Sequence, residues 1–273
     1  MTSRMTLHDR TAVVTGAASG IGRAVAIALA RRGCHLALAD VDETGLVETA
    51  ARVRSHGVRA SLHCLDVADR EAVAALPEAV RAEHGGVDLL VNNAGVALGG
   101  TFEQVSEADM EWLVEVNLWG VVRMTRAFLP LLHASDDARV VNVSSVFGLI
   151  APPGNVPYVT SKFAVRGFSM ALAHELEGTS VGVSVVHPGG VATRIAERAR
   201  VPEGTPAEEV ERKRAAMNRL LTLPPEVAGE TIVRGIERRR TRILVGRDAR
   251  LAAALERLAP VRYWSLLRRG MHR

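Results

Sequence analysis

The chain has 273 residues, of which 48% are hydrophobic and 23% charged, with a formal net charge of +4. That length and balance suit a soluble single α/β domain with a well-buried core. Apolar runs no longer than a strand exclude a membrane span, nine histidines without HxxxH or HExxH spacing give a metal site no support, and the start MTSRMTLHDR lacks the apolar stretch of a signal peptide, so a cytosolic protein is expected.

From Thr11 onward, short Val- and Leu-rich runs alternate with helix-length amphipathic segments. Strands are expected at 11–15, 35–39, 60–64, 87–92, 139–144, 181–186 and 242–245. Helices are expected at about 22–32, 43–55, 70–84, 106–132, 158–177 and 225–238. The strands show little polar alternation, as strands buried on both faces should. Gly33 and Gly57 stand where C-terminal caps would end two of the helices. The alternation predicts a doubly wound, mostly parallel seven-stranded sheet with helices on both faces. Cys34 and Cys64 fall on different strands and have no CxxC partner, so a reduced compartment is expected.

Two stretches break the rhythm. Residues 192–222 hold no expected strand, and the turn-like VPEGTPAEEV precedes a charged helix ending in MNRLLTLP. An irregular insertion beyond a strand's C-terminal edge is where a substrate lid would lie. The second stretch is a basic amphipathic extension over 248–273, following a single domain over 1–247. Twelve Arg against Glu237, Asp248 and Glu256 give residues 234–273 a net of +9, which leaves −5 for the rest of a +4 chain. Leu251, Leu255 and Leu258 share a helical face that Val261, Trp264 and Leu267 continue. Packing of that stripe on the body, over the substrate pocket or on a neighbouring subunit is favoured over contact with an anionic membrane. The acidic body argues against nucleic acid.

VVTGAASGIGRAV runs from the first strand into the first helix, with Gly16, Gly20 and Gly22 in a GxxxGxG spacing around Ser19 and Ile21. Glycines there permit a tight turn, close backbone approach to a phosphate and close helix–strand packing, and the helix N-terminus offers free N–H groups to a pyrophosphate. The next strand ends at Asp40, placed to accept from adenosine ribose hydroxyls. A carboxylate there repels a 2′-phosphate, and no Arg or Lys stands at Ser19 or Val41 to attract one, so NAD is favoured over NADP.

PYVTSKFAV holds one of only two tyrosines and one of only two lysines, four apart as Tyr158 and Lys162 at the start of an expected helix. Positions i and i+4 share a helical face. An unperturbed phenol titrates near pH ~10, too high for a base at neutral pH, and an ammonium beside it, together with a positive nicotinamide, is expected to lower it. The ammonium would also donate to ribose hydroxyls, which a planar guanidinium fits poorly. Ser145 ends the strand VVNVSS thirteen residues earlier, where its hydroxyl would hold a substrate oxygen.

TGAASGIG, NNAG at 92–95, Asn117, Ser145, YVTSK and PGGVAT at 188–193 together resemble the short-chain dehydrogenase/reductase family in its compact form, over about residues 8–246. The resemblance implies a Rossmann-like fold and an NAD(P)-dependent oxidoreductase acting on a secondary alcohol or its ketone. It makes Tyr158 the general acid/base, Lys162 its partner and ribose clamp, and Ser145 the substrate-oxygen donor. Asn117 would hold a water that relays the proton from Lys162. Asp66 and Val67 would flank the adenine, and Asn93, Ala94 and Gly95 would line the cofactor cleft. Pro188, Gly189, Val191 and Thr193 would meet the nicotinamide end. A homo-oligomer, dimer or tetramer, is expected. Val96, Leu98, Phe147, Leu149, Ile150, Met217, Leu220 and Leu221 suggest an apolar pocket, whereas Arg194 or Arg198 would suit an anion. A non-catalytic dinucleotide-binding regulatory or interaction protein on the same scaffold is the alternative; it would lack the catalytic groups.

Overall fold

The computed structural model describes residues 4–271. In chain order it holds β1 (Thr11–Thr15), α1 (Gly20–Ala30), β2 (His35–Asp40), α2 (Glu43–Arg54), β3 (Ala60–Cys64), α3 (Arg70–His84), β4 (Leu89–Asn92), α4 (Glu107–Val114), α5 (Gly120–Ala134), β5 (Ala138–Val143), α6 (Val156–Glu175), β6 (Val181–Pro188), α7 (Ala207–Leu220), α8 (Pro225–Glu237), β7 (Arg242–Val245), α9 (Arg247–Leu258) and α10 (Tyr263–Met271). The seven strands form one sheet in the order β3-β2-β1-β4-β5-β6-β7, and every pairing is parallel. The expected fold class is therefore present, with the sheet wholly parallel.

The apolar strands follow from coverage on both faces. Adjacent residues of β1 enter different cores: Val14 joins Val25, Leu29, Leu36 and Ile232 under α1 and α8, whereas Val13 joins Leu90, Val140, Met124 and Phe128 under α3 and α5. A polar side chain at either position would be buried without a partner, so alternation disappears. The strand order reverses between β1 and β4, which opens a crevice at the carboxyl ends of the strands. Gly33 and Gly57 both take positive φ just beyond α1 and α2, as the caps require.

One expectation changes. The continuous helix over 106–132 is α4 and α5 joined by a π-helical segment, Glu115–Trp119. The 192–222 insertion contains the expected charged helix as α7, none of whose residues is buried, and is held by backbone bridges at Leu98–Arg200 and Val191–Leu223, by Arg198 on Asp42 and by Arg200 on Asp109 and the Trp112 ring. Weak packing of that kind suits a segment that opens and closes.

The extension forms α9 and α10, and of its apolar stripe Leu255, Trp264 and Leu267 are half-buried while Leu251 is exposed. Ala249, Ala252 and Ala253 bury against the body, while Leu258 is 82% and Val261 91% exposed. Small residues win the inner face because they let the helix backbone approach β7 closely. Cys34 is buried and Cys64 exposed, and both are free. Among the described residues no helix is long and apolar enough to cross a membrane. No group of three His, Cys, Asp or Glu among them is placed to hold a metal ion.

Candidate active site

The glycine turn is built by close approach. Gly16 has φ of +65°, and a Cβ there would lie 2.7 Å from Asn93 Nδ2 and 2.9 Å from Ala94 Cα. A Cβ on Gly22 would lie 2.0 Å from the carbonyl oxygen of Gly16. Gly22→Ala should therefore push α1 off β1 and weaken NADH binding by more than tenfold, read by fluorescence titration, with a drop in melting temperature of several degrees. Ser19 precedes α1 in extended conformation, and no side chain accepts from the first turn of the helix. Those N–H groups therefore remain available to an anion. Beside the turn lies a cleft of about 370 Å³ lined by Ser19, Gly20, Thr193, Arg194, Asn218 and Leu221.

Asp40 closes β2 on the same side. Its Oδ2 accepts from Ala18 N at 2.9 Å and its Oδ1 from Asp42 N at 3.1 Å, so each oxygen keeps capacity for a ribose hydroxyl. Arg198, which sequence reading offered to an anionic substrate, instead reaches this side: its Nη2 lies 3.4 Å from Asp42 Oδ2, across 156 residues of chain. The Gly45 N–H, with help from Arg198, holds the Asp42 carboxyl below its usual range against the opposing effect of burial. On the other wall, Asp66 is exposed and accepts from Ala68 N at 2.9 Å, and Val67 is buried against Gly120.

Sequence reading missed Thr15, although it organises the NNAG turn. Its hydroxyl accepts from Asn93 N and Ala94 N, both at 3.0 Å, and Asn93 Nδ2 reaches back to the Thr15 carbonyl at 3.0 Å. Gly95 leaves room for what lies beyond. A Cβ there would sit 3.1 Å from Asn117 Oδ1 and 3.3 Å from Lys162 Nζ. Asn117 comes from the π-helical segment and is fully buried. Its amide donates to the Val96 carbonyl at 3.0 Å and to Ser161 Oγ at 3.2 Å, and its Oδ1 accepts from Val96 N at 2.8 Å. Both amide hydrogens are thus engaged, and what Asn117 still offers a water is acceptor capacity on Oδ1 and on its main chain. π-bulges recur at functional sites for this kind of re-aiming.

Tyr158 and Lys162 lie on the first turns of α6. Lys162 is 4% exposed and donates to the Val143 carbonyl at 3.3 Å, with Nζ 5.6 Å from the centre of the Tyr158 ring. Burial pushes the lysine down to about 8. Burial also raises the Tyr158 phenol above its ordinary value, while a hydrogen bond with the Ser145 side chain pulls it down. The expected lowering by Lys162 is therefore not seen here: desolvation dominates, and the opposing pull comes from Ser145. Phe147 meets the Tyr158 ring edge-on, centroids 6.1 Å apart at 82°, and fixes its tilt.

Ser145 caps the short turn Val146–Gly148, its Oγ accepting from Phe147 N at 3.1 Å. Its carbonyl lies 2.9 Å from Nδ1 of buried His187, another residue sequence reading passed over. Burial pushes that imidazole down to about 4, so it is neutral, and Nδ1–H must be the donor. Pro188 ends β6, and Gly189, Val191 and Thr193 follow it toward the glycine turn, where a Cβ on Gly20 would lie 3.0 Å from Thr193 Cγ2. Of the expected pocket residues, Leu98 and Leu149 are packed inside the protein and Leu220 is largely exposed, so these three do not form one apolar lining.

A serine, a tyrosine and a lysine thus stand at the carboxyl end of a parallel sheet beside an uncapped glycine-rich helix start. The short chain dehydrogenase model matches residues 10–204, and the chain belongs to the short-chain dehydrogenase/reductase family. It is an oxidoreductase of that family, whose members use NAD(P). A Mycobacterium tuberculosis protein bearing the oxidoreductase name SadH is 42% identical over 267 residues, covering 97% of this chain and 96% of that protein. A short-chain dehydrogenase/reductase from Burkholderia phymatum, solved with NAD, superposes with a TM-score of 0.86 at 33% identity, covering 93% of this chain and 94% of that one. A metagenomic short-chain oxidoreductase solved with NADP reaches 0.72 at 29% identity, covering 88% and 98%.

Proposed function

We propose that this oxidoreductase transfers a hydride between a nicotinamide cofactor, NAD in preference to NADP, and a hydrophobic secondary alcohol or its ketone. The observation that carries the reading is Tyr158 and buried Lys162 together on the first turns of α6, Nζ 5.6 Å from the centre of the ring, with Ser145 just past the end of β5 in the crevice that the strand order opens. When bound, the cofactor supplies the hydride acceptor or donor. The N–H groups around Gly16, Ser19, Gly20, Ile21 and Gly22 would hold its pyrophosphate, Asp40 its adenosine ribose, and Asp66 and Val67 its adenine. Asn93, Ala94 and Gly95 would line its path, and Pro188, Gly189, Val191 and Thr193 its nicotinamide end. Ser145 Oγ and Tyr158 Oη would converge on one substrate oxygen. Tyr158 Oη would take or give the proton, and Lys162 would donate to ribose hydroxyls and pass protons toward water at Asn117.

Asp40 supports NAD, whereas Arg198 beside Asp42, with Arg23 on Ala18 and Gly45, would favour NADP. The carboxylate stands on the ribose side of the glycine turn and both arginines are already paired, Arg198 with Asp42 and Arg23 with Glu48, so repulsion should win. kcat/KM with NAD should exceed that with NADP at least tenfold, about 1.4 kcal/mol, and Asp40→Ala should narrow the ratio. A wild type preferring NADP would reverse the assignment. The same reading takes 1–247 as one catalytic unit with 248–273 as an extension, in a cytoplasmic protein with no nucleic-acid partner. Exposed Phe102, Trp119 and Met170 support a homo-oligomer. A panel of secondary alcohols with NAD, followed by absorbance of the reduced cofactor, tests the activity. NADH binding with no turnover on any member would favour the regulatory alternative.

A further inference from the structure

The C-terminal extension touches the two loops that flank the catalytic centre, each at a defined atom. Asp248, in the first turn of α9, accepts from Gly190 N at 2.7 Å through Oδ2. The fit is tight: a Cβ on Gly189 would lie 2.1 Å from either carboxylate oxygen of Asp248, and one on Gly246 would lie 2.4 Å from Oδ1. The other side of the same loop is closed by the end of α7, since a Cβ on Gly190 would lie 2.0 Å from the Leu220 carbonyl oxygen. The Gly190 carbonyl in turn accepts from Thr222 N at 3.0 Å and Leu223 N at 2.9 Å. Loop, insertion and extension thus interlock at Gly189–Gly190.

The second contact is at the loop between Ser145 and Tyr158. Tyr263, the first residue of α10, accepts from Ala151 N at 3.0 Å through its hydroxyl. Glu256 of α9 lies 3.8 Å from Arg166, whose Nη1 donates to the Gly148 carbonyl at 3.2 Å. Because the loop joins the two residues whose side chains must meet one oxygen, its shape sets their separation. The buried alanine face of α9 gives the extension the rigidity to hold both points.

We propose that Asp248 and Tyr263 are positioning residues, through which the extension holds the Gly189–Gly190 loop for the nicotinamide end and the Gly148–Ala151 loop for the substrate. The assignment of those two ends rests on the function proposed above; the loop contacts themselves do not. Asp248→Ala should raise the NADH dissociation constant about fivefold, the size expected for one lost hydrogen bond. Asp248→Asn keeps an acceptor and should restore most of that affinity. Tyr263→Phe should leave NADH affinity within twofold and raise the KM of whichever alcohol the panel identifies about fivefold.

Amide hydrogen exchange on the full chain, read by mass spectrometry, tests the contacts without turnover. Asp248→Ala should speed exchange in peptides covering 188–193 and spare those covering 147–153, and Tyr263→Phe should do the reverse. Selective loosening without any alcohol turnover would support the positioning roles and count against the activity instead. Exchange unchanged in both variants, or both loops loosening together in each with no rescue by Asp248→Asn, would overturn the proposal.

Discussion

Tyr158→Phe should bind NADH with wild-type affinity and lose about a thousandfold in turnover. Positioned general acid/base groups contribute typically ~10²–10⁴ in rate, and the proposed function gives that part to the phenol, whose titration the Ser145 side chain lowers. The ring itself is held by Phe147 and by its place on α6, so phenylalanine should keep the packing and remove only the proton carrier. The split between intact binding and lost turnover is the signature of an interaction made in the transition state. Direction in pH follows from the same atoms. Burial raises the phenol, so alcohol oxidation by the wild type, which needs the phenolate, should climb with pH through the alkaline range. Initial rates across pH 6 to 10 (range chosen to bracket the phenol and the lysine) would read this. More than a tenth of wild-type turnover in the mutant would exclude the role.

Lys162→Arg is the second large effect. The chain uses arginine for almost every cation, so this is the exchange its composition would make mildest. The site is nevertheless tight: buried Nζ donates to the Val143 carbonyl beside Gly95, and the broader planar guanidinium should not reproduce that fit. Turnover should fall at least tenfold, about 1.4 kcal/mol in the barrier. Burial brings the native lysine down to about 8, so it is charged below that pH and neutral above it. Wild-type NADH affinity should therefore weaken as pH rises through about 8. The arginine variant stays charged, so its affinity should be lower at pH ~7 and flat with pH. Equal plateaus and equal affinities in the two proteins would mean that the lysine supplies charge alone.

How much of this was legible depends on the range of the interactions. Strand β1 falls where its Val and Ala run places it, because burial of every residue leaves little other composition, and the partly buried edge strands β3 and β7 were still found by their short apolar runs. Tyr158 and Lys162 were legible because they are rare and i, i+4 spacing brings them to one face. The π-helical segment was not, since one extra residue in a turn barely disturbs a 3.6-residue pattern. The inner face of the extension was not legible for a different reason. Leu251 and Leu258 dominate any count of hydrophobicity and stay exposed on this chain, where a neighbouring subunit could still cover them, while the small Ala249, Ala252 and Ala253 form the face buried on the body. Arg198 beside Asp42, and Asp248 on Gly190, join residues with no local pattern between them, so only the folded chain brings them together. The Tyr158 phenol is a question of sign. Spacing predicts a neighbouring ammonium, but only three-dimensional burial reveals that desolvation moves both groups toward neutrality.

The central claim is that a hydride passes between a nicotinamide and a carbon whose oxygen lies between Ser145 and Tyr158. NADH deuterated at the transferring carbon of the nicotinamide, incubated with the wild-type protein and a panel of hydrophobic ketones, tests it most directly. Mass spectrometry of the products should find an alcohol carrying one deuterium at the carbinol carbon, absent when Tyr158→Phe replaces the wild type. NADH that binds the wild type and yields no labelled alcohol from any ketone would contradict the account.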